Sequence, residues 1–307
     1  MYSTTEEPNC TTSLGNYPSL GRAFEQAEPI LASAEPIAER VSKAIPLFEA
    51  VDTSELPAPL REDFRVALEA MRKAALDDLS GVAEQYKRLV NTTLDTAQGD
   101  RLYFTIWSRF GEPGYHPCLL LCRVNVRNLE LLKISRSRPF VETLVKRLGA
   151  TTYPEEVLNS RMQGVEVKVS AGKRPHVLFA DFVAMDKDCG IDPATGGGLL
   201  FSSFGDLMLD QMTLVEKAFP NVAEWLDSTA LMNTENIRLL TTAHVQAHDL
   251  CGHSVPFNLN DSTRAQANLF LRGPLEEYYA DTQAMWTYSS VAPTRAFFNS
   301  TLSQTEL

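Results

Sequence analysis

Three of the five histidines fall in one short stretch, His244, His248 and His253 in AHVQAHDLCGH, and a carboxylate-rich segment, LEEYYAD from Leu275 to Asp281, follows it. A divalent transition metal in a catalytic site commonly takes imidazole nitrogens and a carboxylate and keeps one position open for water or substrate. The two segments supply every donor such a site needs. Asn233 and Thr234 are N-cap candidates, and Ile237, Leu240, Ala243, Ala247 and Cys251 recur at helical spacing, so the histidines belong to a helix with one buried stripe. At 3.6 residues per turn His244 and His248 lie about 40° apart, whereas His248 and His253 lie about 140° apart. The second pair converges only where the helix bulges or ends, and Gly252 and Pro256 allow either. Spacing alone leaves both pairs open as ligands.

Gly273-Pro274 places a proline at the start of a second helix, with Glu276 and Glu277 in its first turn, where carboxylates suit the helix dipole. Glu277 and Asp281 are four residues apart and share a face. One can therefore ligate while the other orients a ligand imidazole from behind. His244, one turn before His248, is placed to do the same.

The hexapeptide His248-Asp249-Leu250-Cys251-Gly252-His253 resembles the H-E-L-L-G-H zinc motif of the dipeptidyl peptidase III family. Glu276-Glu277-Tyr278-Tyr279-Ala280-Asp281 is similar to that family's E-E-C-R-A-E/D motif, in the same order along the chain. The resemblance covers only this window. It implies His248, His253 and Glu277 as zinc ligands and Asp249 as general base, with His244, Glu276 and Asp281 in the surrounding shell. Asp249 stands where the family has Glu, one methylene shorter, and the segment between the motifs is shorter than in the family.

The expected function is a zinc-dependent hydrolase acting on an amide or peptide-like small substrate through a metal-activated water. Two histidines and a carboxylate also make the facial triad of mononuclear non-haem iron oxygenases, so Fe2+ is the alternative metal. A third reading takes His248-Asp249 as the dyad of an HD-type phosphohydrolase, which requires an upstream ligand such as His176. His116 and His176 otherwise read as structural histidines within or beside strands. Arg264, Arg272, Tyr278 and Tyr279 are secondary candidates for gripping a substrate or a developing oxyanion.

The elements that must position these groups make an α+β chain, mainly helical with a central antiparallel sheet and the metal site on two C-terminal helices. Residues 1–19 read as a flexible N-terminus, 20–99 as a helical region, 100–200 as β-rich and 201–307 as the helical metal-binding region. In the second of these, Phe64, Leu68, Met71, Ala75, Leu79, Val82, Tyr86 and Leu89 predict one long amphipathic helix, and prolines divide the part before it. Residues 101–107, 118–126, 165–169 and 176–183 read as strands, and 186–200, with Gly196-Gly197-Gly198, as a loop.

With 307 residues, 44% of them hydrophobic, the chain can bury a full core. Its 28 basic residues against 39 acidic ones give a net charge of -11, which argues against nucleic acid or an anionic membrane as partner. Cys10, Cys118, Cys122, Cys189 and Cys251 are odd in number and lack zinc-ribbon spacing, so reduced thiols are expected. The acidic, polar first residues lack the basic start and apolar core of a secretory signal, and the expected location is cytoplasmic.

Overall fold

The computed structural model describes residues 14–91, 99–108, 114–124, 163–179, 182–185 and 198–201, together with 217–218, 241, 244–245, 248, 277–278 and 281–282. The chain divides into two compact units, one of Met1–Arg123 with Glu166–Pro193, the other of Val124–Val165 with Ala194–Leu307.

The first unit begins with four helices, α1 (Pro18–Leu31), α2 (Ile37–Glu49), α3 (Ala58–Ala74) and α4 (Ser80–Asn91). The prolines do not all divide helices as expected, since two of them lie inside helices. Pro36 and Pro57 are N-caps, and Pro29 and Pro46 lie within the last turns of α1 and α2. Phe24 of α1 meets Phe48 of α2 edge to face at 5.8 Å, and Leu20, Leu31, Leu60 and Met71 are fully buried. Burying each such side chain stabilises the fold by roughly 1.5–3 kcal/mol.

The single long helix expected across residues 64–89 is two helices. Asp77 adopts a left-handed φ of 61°, and the Asp77 and Asp78 amides donate to the carbonyls of Ala74 and Lys73, closing α3 in a Schellman pattern. The Asp78 carboxylate then accepts from the Ser80 amide at 2.9 Å and starts α4. Both halves keep the same apolar spacing, so periodicity could not register the break. Aspartates favour caps over helix interiors because their carboxylates compete for backbone amides. The two helices fold back on each other with little space between them. A β-carbon on Gly81 would lie 2.7 Å from the Ala70 Cα, so only glycine fits this crossing.

The strands are β1 (Arg101–Trp107), β2 (His116–Val124), β3 (Gln163–Ala171), β4 (Val177–Phe179) and β5 (Gly198–Phe201). β1, β2 and β3 form an antiparallel three-stranded sheet, with β1 and β2 in register from Arg101 opposite Cys122 to Trp107 opposite His116. Alternating apolar residues do not explain β1, which is buried on both faces from Leu102 to Trp107. It is a central strand in character although it lies at a sheet edge. Side chains close that edge: Asp63 of α3 accepts from the Leu102 amide and Gln85 of α4 from the Phe104 amide, each at 3.3 Å. Farther along, the Ser108 amide donates to Phe182 and the Ala184 amide to Ile106.

Two departures concern the second unit. Gly198, Leu199 and Leu200, expected in a loop, belong to β5. Gln163–Val165 of β3 pair with Leu199–Phe201 in parallel, so the strands are not all antiparallel. A parallel partner needs a long crossover and leaves no hairpin signal in the sequence. Cys118 and Cys122 are buried and reduced, and burial pushes both thiols well above their ordinary values. No helix among the described residues is long and apolar enough to cross a membrane.

Candidate metal centre

The described residues of the second unit include His244, His248, Glu277 and Asp281, and their side chains converge. Thr241, His244 and Val245 are helical, and His248 occupies a π-helical turn. Glu277, Tyr278, Asp281 and Thr282 are helical, and the Thr282 hydroxyl donates to the Tyr278 carbonyl one turn back at 2.7 Å. Helical spacing therefore puts His244 with His248 on one element and Glu277 with Asp281 on the other.

The His248 imidazole stands between the two carboxylates. Its Nε2 lies 3.0 Å from Glu277 Oε2 and its Nδ1 lies 2.8 Å from Asp281 Oδ1. The same Asp281 oxygen lies 3.0 Å from His244 Nε2. The His244 and His248 rings are 6.3 Å apart at 53°, tilted so that both address Asp281. His244, His248 and Asp281 each offer a ligand atom, all within 4.8 Å of one another, a spacing that can hold a metal ion.

A neutral imidazole carries one N–H and one lone pair. The hydrogen-bond geometry at both ring nitrogens of His248 therefore cannot be satisfied by a neutral ring alone, since one nitrogen would turn its lone pair toward a carboxylate oxygen. A positive charge at that nitrogen, either a second proton or a metal ion, removes the conflict. The observed 3.0 Å is an ordinary hydrogen-bond length, and two ligand atoms on a tetrahedral zinc stand roughly 3.4 Å apart, so this edge accommodates a proton or, after a small side-chain adjustment, a metal ion. The donor set of imidazoles and carboxylates is one that could hold a divalent cation.

Burial alone would raise the Asp281 carboxyl. Hydrogen bonds from His248 and His244, and the charge of both rings, outweigh it and hold the carboxyl below the ordinary aspartate range. The carboxylate is thereby kept as the anion that a cation or an N–H donor requires. The His248 side chain is 14% exposed and Glu277 60%, so the centre opens to water on its carboxylate side. Tyr278, next to Glu277, is 72% exposed.

Among the residues singled out from the sequence, His248, Glu277, His244 and Asp281 are brought together. His253, Asp249 and Glu276 lie outside the described residues, as do Arg264, Arg272 and Tyr279. His116, at the start of β2, faces Trp107 with ring centroids 6.2 Å apart. His116 and His176 belong to the first unit, and neither is part of the ligand group found among the described residues. Spacing placed His244 and Asp281 near His248, and their side chains meet there. It gave no signal that a single aspartate oxygen would serve both rings, since that depends on how the two helices approach each other.

Comparison with protein-family models, with curated proteins and with solved structures gives no match for this chain.

Proposed function

We propose that the chain is a metal-dependent hydrolase of the cytoplasm, acting on an amide or peptide-like small substrate. The observation that carries this reading is the His248 ring held between Glu277 and Asp281, with His244 on the same aspartate. In this reading His248 Nε2, Glu277 and His253 hold zinc, while Asp281 accepts the Nδ1 hydrogen of His248 and fixes the ring's tautomer and direction. The π-helical turn at His248 supports the pair with His253, because such a turn closes over five residues and brings positions five apart onto one face.

Zinc, when bound, supplies a Lewis acid that polarises a carbonyl and acidifies a water. The chain's own groups do the rest. Asp249, directly after His248, takes the proton from the attacking water and returns it to the leaving amine. His248 and Glu277 hold their places through the helices that carry them, and Tyr278 lies at the rim where a substrate would pass. The open carboxylate side gives the substrate access without a large rearrangement.

Asp249→Asn tests the assignment. The amide can still hydrogen-bond but cannot accept a proton, so hydrolysis should fall by roughly 10²-fold or more while metal content and fold persist. Undiminished turnover by this variant at saturating substrate would remove Asp249 from the chemistry. The donor set of two imidazoles and an aspartate in the described group also favours a second reading, a non-haem iron oxygenase. Turnover that consumes oxygen and follows iron content would select it.

A further inference from the structure

We propose that the centre has a second cation position, formed by His244 Nε2, His248 Nδ1 and Asp281, on the opposite edge of the His248 ring from Glu277. The inference rests on the reading above, in which the first ion lies on the Nε2 edge. The three donors stand within 4.8 Å of one another. Asp281 Oδ1 lies between the two nitrogens, 2.8 Å from His248 and 3.0 Å from His244.

With one ion bound, this oxygen accepts an N–H from each ring. A second divalent ion takes the place of those two hydrogens. His244 needs only to move its ring hydrogen from Nε2 to Nδ1, with no net loss. His248 would have to release its Nδ1 hydrogen to solvent to offer that nitrogen to the ion. No electron changes hands, and one proton is released per second ion bound.

Charge and access favour the position. Two carboxylates, Glu277 and Asp281, flank the His248 ring, and the chain as a whole carries -11. The His244 and Asp281 side chains are 42% and 48% exposed, so the second ion can enter from water without opening a core. It binds more weakly than the first because two like charges share one ring. A borderline metal such as zinc suits two nitrogens and one oxygen better than magnesium or calcium.

The test is zinc stoichiometry on the full chain, measured by titration of metal-stripped protein against a competing chelator, with circular dichroism to verify folding. Wild type should bind two equivalents, the second more weakly. His244→Ala should lose the second equivalent and keep the first. Glu277→Gln should lose the tight equivalent, and His248→Ala should lose both. One equivalent in wild type, unchanged in His244→Ala, overturns the second position and leaves the proposed function standing. One equivalent that His244→Ala abolishes and Glu277→Gln preserves overturns both the two-ion count and the Glu277-side ligand set. Because His244 is partly exposed, His244→Gln provides a further variant, which should fold as wild type and show the same loss of one equivalent.

Discussion

Two aspartates, Asp63 in the first unit and Asp281 in the second, show how one side chain is committed to opposite tasks by its partners. Asp63 is 1% exposed and receives Arg101 through two hydrogen bonds of 2.6 and 3.0 Å, Arg88 at 3.1 Å and the Leu102 amide. Guanidinium groups stay charged at any ordinary pH, and hydrogen bonding to Asp63 holds Arg101 above even its usual value despite burial. Asp63 is thus saturated by permanent cations and joins α3, α4 and β1. Asp281 is about half exposed, and its partners are two imidazoles, which can exchange a proton for a metal ion. Asp63 is committed to permanent cations, whereas Asp281 and its two imidazoles form a group that could hold a metal ion.

The strongest way to break the comparison is Asp63→Ala. It would leave the largely buried Arg101 without its carboxylate and Arg88 with the longer contact to Glu62 at 3.8 Å, and removing one partner of a buried network costs about 3–5 kcal/mol. Chemical denaturation should show that loss, while metal bound per folded molecule stays unchanged. A loss of stability under 1 kcal/mol would mean that the arginines find other partners, and the structural half of the contrast would fail.

Asp281→Asn should do the reverse. Its folding stability should change little, whereas losing a partner that orients a ligand imidazole weakens the tighter metal site by about 10–100-fold, on the order of 1.4–2.7 kcal/mol. Chelator competition measures it. Unchanged affinity would reduce Asp281 to a packing residue.

The smallest effect sharpens the meaning of the arginine partnership. Glu62 and Arg65 on α3 form an ion pair at 2.8 Å, yet both side chains are at least half exposed. Arg65→Ala should therefore leave the denaturation midpoint close to that of wild type, because water and salt screen such pairs. A cost approaching that of Asp63→Ala would show that burial is not what separates the two.

Much of this arrangement could be read from the residues, and the failures share a cause. β1 was expected at 101–107 and is Arg101–Trp107, because an aromatic and β-branched run bounded by polar residues has few other solutions. The neighbourhood of His244 to His248 and Glu277 to Asp281 was legible because spacings of four residues fix a shared helix face wherever the helices lie. The break at Asp77 was not legible, since apolar periodicity continues through it and only the left-handed turn reveals it. Nor was β5, whose parallel partner lies far back in the sequence and whose glycines read locally as a loop. The His248 nitrogen that meets each carboxylate was also beyond the sequence, because it depends on the approach of two helices rather than on either one.

The central claim is that His248 is the hub of a metal site, and elemental analysis of protein purified without added metal tests it most directly, on wild type beside His248→Ala. Near-stoichiometric zinc in wild type and its absence from a folded His248→Ala variant is the predicted result. Equal metal in both proteins, or none in either after exposure to zinc, would contradict the account.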